Sequence, residues 1–194
     1  LQPSTWLTRF CHLIPNKGSI LEVACGNGRN TGFLIKSGYN VTAVDIDTKA
    51  ITKRLRVHKA LNILTIDLEN KQSPFKNNAL LADKAFDGVV VINYLYRPIL
   101  HELLDCIKPN GVLIYETFCI GNEKFGRPKN LNHLLKPNEL FELVQHKFQT
   151  IAYECGPTEI DKVIKIKQRI VAINSPNSIV LGENIPPIFS NKSI

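Results

Sequence analysis

The stretch Leu21-Glu22-Val23-Ala24-Cys25-Gly26-Asn27-Gly28-Arg29-Asn30 decides the fold. The apolar residues around its start predict a buried strand over residues 19–24, which ends in a glycine-rich turn. Glycines in such a turn accept unusual backbone dihedrals and let a ligand approach the backbone closely. Asp45 ends the next predicted strand, where a carboxylate can accept hydrogen bonds from ribose hydroxyls. The stretch therefore predicts a nucleotide-like ligand at the carboxyl ends of the strands.

Further apolar segments predict strands that alternate with helical patterns. Continuous apolar runs are typical of parallel strands covered on both faces. These strands are expected at 40–45, 61–66, 86–92 and 112–117. Helices are expected after the capping residues Ser4 and Thr48, over 97–108 and around 140–148. The alternation predicts βαβ units and a doubly wound α/β fold.

The pattern changes beyond residue 117. Two strand candidates, 148–154 and 162–173, follow with no helix between them. In the second, isoleucines alternate with Lys165, Lys167 and Arg169, which predicts an antiparallel, half-exposed strand at the end of the sheet. We therefore expect one domain over 1–173, with a Rossmann-like sheet of seven mostly parallel strands and an antiparallel strand near the C-terminus. Residues 174–194 contain prolines without periodicity and are expected to form a tail.

Composition excludes several classes of protein. The 194 residues are 44% hydrophobic and 21% charged, which is typical of a globular protein and excludes a disordered or collagen-like chain. No apolar run approaches the roughly 20 residues that a membrane span needs. The five cysteines form no C-x-x-C pair and the histidines show no metal-binding spacing, so we expect reduced thiols, no metal site and a cytoplasmic location. The net charge of +7 permits an anionic partner.

The glycine-rich turn favours one ligand over another. A dinucleotide fingerprint is G-x-G-x-x-G, but its third glycine position holds Thr31. Glu22, four residues before Gly26, would repel a pyrophosphate and attract a cationic ammonium. S-adenosylmethionine contains ribose, adenine and an ammonium but no phosphate, so the pattern favours it over a nicotinamide dinucleotide. The alternative is a tight strand-to-helix turn with no ligand.

These residues together resemble class I S-adenosylmethionine-dependent methyltransferases. The turn is similar to their motif I, Asp45 to their ribose-binding acid, and Asp67-Leu68 to the acid near the adenine. Residues 86–91 resemble the motif IV strand and residues 107–113 the turn that follows it. More narrowly, residues 3–10, 93–98, 115–118 and 125–130 resemble a branch of small bacterial methyltransferases of undefined substrate. The resemblance implies this cofactor-binding set: Glu22, Cys25, Gly26, Gly28, Asp45, Ile46, Asp67, Leu68 and Asn93.

The residues after strand four are expected to meet the methyl acceptor. The stretch Asn93-Tyr94-Leu95-Tyr96 lacks both prolines of the N/D-P-P-Y/F loop of enzymes that methylate amino groups of nucleic acids. Catalytic candidates are Tyr94 and Glu116, each of which could instead be structural. A polar loop over 121–130 and the N-terminal segment could close over the pocket. The candidates for substrate contact or closure are Trp6, Arg9, Tyr94, Arg97 and Arg127.

The sequence thus predicts methyl transfer to a small, anionic acceptor. An RNA methyltransferase is the alternative enzyme, because Lys49, Lys53 and Arg56 form one basic stripe and Lys165, Lys167 and Arg169 another. No aromatic residues are interleaved with either stripe, so a small molecule is favoured over RNA. The third alternative is a non-catalytic protein that keeps the fold and binds the cofactor. No membrane or metal partner is expected.

Overall fold

The computed structural model describes residues 2–55, 58–77, 81, 86–160 and 163–175. Within them, seven strands form one sheet. The strands are β1 (Ser19–Val23), β2 (Asn40–Asp45), β3 (Leu61–Thr65), β4 (Phe86–Ile92), β5 (Ile107–Phe118), β6 (Gln149–Ile160) and β7 (Val163–Ile173). Their order across the sheet is β3-β2-β1-β4-β5-β7-β6. The tail predicted at 174–194 lies outside the described residues from 176 onward.

The sheet confirms the predicted fold class. Strands β1 to β5 pair in parallel, and β7 runs antiparallel to both of its neighbours, β5 and β6. The expected half-exposed strand at the end of the sheet is wrong in one respect. Because β7 lies between β5 and β6, its middle is covered, and Lys167 and Gln168 are buried. The alternation of apolar and charged residues did not reveal this, since it says nothing about long-range neighbours.

Six α-helices occur in the described residues. They are α1 (Thr5–Phe10), α2 (Arg29–Lys36), α3 (Lys49–Arg54), α4 (Pro74–Asn77), α5 (Leu100–Asp105) and α6 (Glu139–Val144). The predicted cap at Ser4 is confirmed, since its side chain accepts from the backbone N–H of Leu7. The Thr48 side chain instead hydrogen-bonds the Thr65 hydroxyl at 2.6 Å. The helix predicted over 97–108 is a 3₁₀ turn at Arg97–Ile99 followed by α5. None of these helices is both long and apolar enough to cross a bilayer.

Helices cover both faces of the sheet, as a doubly wound fold requires. Successive residues of β4 alternate between the two cores: Val89 and Val91 pack with α5 and α6, whereas Val90 packs with α1, α2 and α3. Trp6 is buried in the second core, and its Nε1 donates to the carbonyl of Ile170 at 3.3 Å. This bond fastens α1 to β7. Because β1, β2 and β4 are parallel neighbours, their carboxyl ends meet at one edge of the sheet.

Candidate active site

Gly26 presents open space at the carboxyl end of β1. Its φ is +55°, and a Cβ built there would meet no atom within 4 Å. Its backbone N–H donates to Oδ2 of Asp45 at 2.7 Å, so the turn is tied to the end of β2. The backbone of Gly26 is held at Asp45 on one side and has no neighbouring atoms at its Cβ position. A ligand can therefore approach this backbone closely. This observation fits the cofactor that the sequence indicates.

Gly28 is required for a different reason. Its φ is +73°, and a Cβ there would lie 2.6 Å from Cγ1 of Ile51 on α3. The absence of a side chain lets the start of α2 pack against α3. The structure therefore gives the second glycine of the motif a packing role, in addition to the cofactor contact expected from the sequence. Ala24 in the same turn also has a left-handed φ of +53°.

Glu22 is buried beneath this turn and is 2% exposed. Burial raises the pKa of its carboxyl to about 7, although hydrogen bonds from Thr31 and Asn30 and the charge of Arg29 act in the opposite direction. The Thr31 hydroxyl, which breaks the dinucleotide fingerprint, donates to this carboxylate. Within the described residues the Glu22 carboxylate makes no ion pair. A cationic ammonium is the chemical group that would compensate this charge.

The other predicted cofactor residues occupy the same edge. Asp45 is half-buried, and its Oδ1 also accepts from the N–H of Asp47 at 3.1 Å. The side chain of Ile46 is 66% exposed and provides an apolar surface next to Asp45. Asp67 is exposed and accepts from the N–H of Glu69 at 2.9 Å. Asp45 and Asp67 are therefore placed where a ligand can reach their carboxylates.

Two predicted residues can contribute only their backbone. Leu68 is buried in the core formed with α5 and α6. Cys25 is buried in the opposite core, and its N–H donates to the carbonyl of Val44 at 3.0 Å. Burial raises the pKa of the Cys25 thiol to about 12, with the charges of Glu22 and Asp45 adding to the effect. The thiol is consequently unreactive near neutral pH.

The turn after β4 begins at Asn93, whose φ is +62°. Its backbone N–H donates to the carbonyl of Glu116 at 2.8 Å, and its Oδ1 accepts from Nζ of Lys167, also at 2.8 Å. Glu116 is buried and forms an ion pair with Lys167. Sequence reasoning missed Lys167, because it assigned the charged residues of β7 to a solvated face. No local signal could have found it, since its partner lies 51 residues away in the chain.

Tyr94 and Glu116 are poorly suited to be general bases. Burial raises the pKa of Tyr94, and the carboxylate of Glu69 adds to this effect, so the phenol stays protonated near neutral pH. Glu116 is held by Lys167 and by the hydroxyl of Ser4, which donates to it at 3.1 Å. The contacts of Tyr94 and Glu116 therefore do not favour the role of general base that the sequence suggested for them.

The residues predicted to close over the pocket separate into three groups. Trp6 is a core residue, and Arg9 pairs with Glu154 at 3.1 Å and stacks on the ring of Phe10. Arg97 uses four of its five N–H donors: they bind both carboxylate oxygens of Glu139, at 2.6 and 2.9 Å, and the carbonyls of residues 132 and 134. Arg127 is exposed. Trp6 is therefore unavailable to a ligand, and the guanidinium of Arg97, although Arg97 lines the cleft described next, is held by Glu139.

A cleft of about 330 Å³ opens beside the turn after β4. It lies between the loops that follow β3, β4 and β5, and its polar walls include Glu69, Tyr96, Asn130 and His133. Its size is at the lower end of small-molecule sites. Among the described residues, no group of three or more histidine, cysteine, aspartate or glutamate side chains could hold a metal ion.

Comparison with known proteins gives matches in both sequence and structure. Residues 20–111 match the family described as "Methyltransferase domain". The ubiquinone biosynthesis O-methyltransferase of Rickettsia typhi is 29% identical over 152 residues, which cover 66% of this chain and 58% of that protein. The putative methyltransferase YqeM of Bacillus subtilis is 26% identical over 114 residues, which cover 53% and 43%. The chain thus spans less than two thirds of the length of these relatives.

The solved structures share the fold. TehB from Haemophilus influenzae superposes with a TM-score of 0.65 at 17% identity, over 85% of this chain and 60% of that one. NodS from Bradyrhizobium japonicum, an N-methyltransferase crystallised with S-adenosylhomocysteine, gives 0.63 at 15% identity, over 88% and 85%. At these identities the likeness establishes the architecture of the sheet and its helices.

Proposed function

We propose that this chain, a class I S-adenosylmethionine-dependent methyltransferase by family and by fold, transfers a methyl group from S-adenosylmethionine to a small-molecule acceptor. The observation that carries the proposal is the open outer side of Gly26, tied to Asp45 and lying above the buried carboxylate of Glu22. The three residues would combine close backbone access, a ribose partner and a carboxylate that forms no ion pair within the described residues.

The residues around the turn would each contact a different part of the cofactor. Asp45 would accept hydrogen bonds from the ribose hydroxyls, and Glu22 would compensate the ammonium. Ile46 would cover one face of the adenine, and Asp67 with the backbone at Leu68 would meet its edge. When bound, the cofactor supplies a methyl group that is already activated by a positively charged sulfur.

The chain's own contribution to the reaction is orientation and exclusion of water. A methyl transfer needs no covalent intermediate on the protein, so the lack of a nucleophile paired with a base is compatible with it. Holding two reactants in line can supply a large part of the rate enhancement. Burial keeps Tyr94 as a phenol, and its hydroxyl is enclosed in the protein, so Tyr94 would support the wall of the site rather than donate to the acceptor. Glu69 and His133 line the neighbouring cleft, and they would be the groups that receive a proton from the acceptor.

A small molecule is the acceptor that the structure favours over RNA. Lys167 of the second basic stripe is buried, and Arg169 is mostly buried and within 3.5 Å of Glu154. In the first stripe Lys49 and Lys53 are exposed, while Arg56 lies outside the described residues. A small acceptor is also supported by two similar proteins, an O-methyltransferase of ubiquinone biosynthesis and the N1-methyltransferase of 1,6-didemethyltoxoflavin. Arg9 and Arg97 already pair with carboxylates, so Arg127 is the remaining arginine candidate for binding an anionic acceptor.

The test is methyl transfer from labelled S-adenosylmethionine into an extract divided into small molecules, RNA and protein. Label is expected in the small-molecule fraction, and Asp45→Ala should reduce both this label and the affinity for S-adenosylhomocysteine. Loss of a hydrogen-bonded carboxylate costs about 1.5–3 kcal/mol of binding. Label confined to RNA, or no binding of S-adenosylhomocysteine by the wild type, would contradict the proposal.

A further inference from the structure

A chain of buried polar side chains crosses the sheet beneath the proposed cofactor site. Its members are at most 5% exposed, and they come from the N-terminal segment and four different elements. They are Glu22 on β1, Asn30 on α2, Ser4 before α1, Glu116 on β5 and Lys167 on β7. Burial of so many polar groups is tolerated only where each finds a partner.

The links of this chain are direct hydrogen bonds. The side chain of Asn30 bonds Glu22, and its Oδ1 accepts from the backbone N–H of Ser4 at 2.9 Å. The hydroxyl of Ser4 donates to Oε2 of Glu116 at 3.1 Å, and Oε1 of Glu116 accepts from Lys167. We call this set the buried polar chain. It ends where Lys167 donates to the side chain of Asn93.

The buried ion pair inside this chain is weak evidence for a stabilising role. Removing two charges from water is unfavourable, and apolar replacements of a buried pair are often neutral or stabilising. Burial lowers the pKa of Lys167, while Glu116 opposes that shift. We therefore looked to the effect of Lys167 on its neighbouring side chains to explain why a charged pair is buried here.

Lys167 determines which way the amide of Asn93 faces. An ammonium group carries donors and no acceptor, so only Oδ1 of Asn93 can bond to it. The other end of the amide, Nδ2, is then directed away from Lys167, and it makes no hydrogen bond with any described residue. Asn93 itself is exposed at the open edge and has the left-handed φ that is common at functional sites.

An amide in this arrangement is a selective donor. Its oxygen is bonded to a positive charge, which polarises the amide and strengthens the hydrogen bond that Nδ2 donates. Such a donor prefers an anionic oxygen, because charge-assisted hydrogen bonds are stronger than neutral ones. The two ends of the buried polar chain thus differ: Glu22 suits a cation, and Asn93 backed by Lys167 suits an anion.

We propose that Lys167 is a positioning residue that orients Asn93 so that Nδ2 donates to the carboxylate of bound S-adenosylmethionine. The inference rests on the proposed function, since it takes the same cofactor at the same edge. It assigns the two charges of the cofactor's amino-acid half to the two ends of one network. The ammonium is compensated by Glu22, and the carboxylate is bound through Asn93.

The first test is Asn93→Asp, which keeps the shape of the side chain and an oxygen toward Lys167 but replaces the donor by a negative oxygen. Binding of S-adenosylhomocysteine should weaken about 10- to 100-fold by calorimetry, as expected for a lost hydrogen bond to a charged group. Binding of 5′-methylthioadenosine, which lacks the amino-acid half, should stay within about twofold of the wild type. Asn62→Asp makes the same chemical change at an exposed position of β3 and should alter neither affinity.

The second test removes Lys167 without leaving Glu116 unpaired. Glu116→Leu combined with Lys167→Met replaces the ion pair by apolar side chains, which is expected to preserve folding. The melting temperature should equal or exceed that of the wild type, while the affinity for S-adenosylhomocysteine falls about tenfold and that for 5′-methylthioadenosine does not change. A merely structural pair would affect both ligands alike.

The outcomes separate the inference from the proposed function. If the wild type binds both ligands and Asn93→Asp binds S-adenosylhomocysteine normally, the inference is overturned and the proposed function stands. Equal weakening for both ligands also overturns it, since Asn93 would then shape the turn rather than contact the carboxylate. If the wild type binds neither ligand, the proposed function fails and the inference fails with it.

Discussion

At the scale of single residues, the two glycines of the turn should respond differently to the same substitution. Gly28→Ala places a Cβ 2.6 Å from Ile51 at a φ of +73°, whereas Gly26→Ala meets open space at +55°. We expect Gly28→Ala to lower the free energy of unfolding by about 1–3 kcal/mol, and Gly26→Ala by about 1 kcal/mol or less. Only Gly26→Ala should weaken S-adenosylhomocysteine binding markedly. Urea denaturation and calorimetry on the matched pair check this, and a reversed order would contradict the site.

Glu22 should make the protein less stable than a glutamine would at alkaline pH. Its carboxyl has a pKa raised by burial from 4.5 to about 7, so the folded state binds its proton more tightly than the unfolded state does. Stability consequently falls as pH rises from 4.5 to about 7 and stays low above that range. Glu22→Gln should therefore increase the free energy of unfolding at pH 8, by up to about 3 kcal/mol, with the gain disappearing toward pH 4.5.

The same variant should lose affinity for S-adenosylhomocysteine, because the amide cannot compensate an ammonium. Urea denaturation at pH 5 and pH 8, with calorimetry at pH 8, measures both effects. The control Asn62→Asp, at an exposed position, should change neither the free energy of unfolding at pH 8 nor the affinity for S-adenosylhomocysteine. A variant that is destabilised at pH 8 and binds normally would show that Glu22 is a structural residue.

The limits of sequence reasoning are clear at this scale. The spacing of Glu22, Gly26 and Asp45 predicted their grouping, because they lie within a strand, its turn and the next strand end. In the dinucleotide fingerprint Thr31 occupies the place of the third glycine, but its hydroxyl donates a hydrogen bond to the Glu22 carboxylate, which the fingerprint does not predict. Trp6 and Arg97 were expected near the ligand, but their partners, Ile170 and Glu139, lie far along the chain. Local patterns carry no information on such pairings.

At the scale of elements, Arg97 connects the start of α5 to the segment that leads into α6. Both carboxylate oxygens of Glu139 and two carbonyls of the segment 131–134 bind its guanidinium. Arg97→Lys should lose the bidentate geometry, since an ammonium is a compact point charge. We expect about 1–2 kcal/mol of destabilisation and faster amide exchange over residues 131–139. Unchanged exchange there would mean that the segment is held by other contacts.

This effect should depend on pH in a defined direction. The hydrogen bonds from Arg97 and Lys136 outweigh burial and hold the pKa of Glu139 below its ordinary 4.5. A depressed pKa gives stability that is present above the unfolded value and lost as pH falls through the folded one. The difference in unfolding free energy between wild type and Arg97→Lys should therefore shrink as the pH falls below 4.5. Lys147→Met, which removes an exposed partner of Asp105, serves as the control for loss of a surface ion pair.

The strands were predicted more accurately than the helices. The limits of β2 and β4 agree with the apolar runs, since buried parallel strands are continuous in hydrophobicity. The helix expected over 97–108 begins as a 3₁₀ turn at Arg97–Ile99 and ends at Asp105, because residues 107 and 108 already belong to β5. Strand β7 was assigned a solvated face because Lys167 looked like a surface residue. Its burial depends on Glu116 and Asn93, which only the assembled sheet brings together.

At the scale of the whole molecule, the buried polar chain holds one more acid than base. Its ionisable members are Glu22, Glu116 and Lys167, and Lys167 pairs with Glu116. Glu22 is left with hydroxyl and amide partners, and its pKa of about 7 means that about half of the molecules carry its proton at neutral pH. An ammonium bound beside it favours the ionised form, so cofactor binding should expel that proton.

Proton release of this kind can be measured by calorimetry in two buffers. At pH 7, binding of S-adenosylhomocysteine in phosphate and in Tris should give enthalpies that differ by about half of the difference in buffer ionisation enthalpy. The difference should disappear in Glu22→Gln, which retains no titrating group at that position, and it should persist in Asn62→Asp. Affinity should correspondingly rise between pH 6 and pH 8 in the wild type, because less protein then carries the proton. Equal enthalpies in both buffers for the wild type would mean that Glu22 does not meet the ammonium, and the cation partner would have to be sought elsewhere along the open edge.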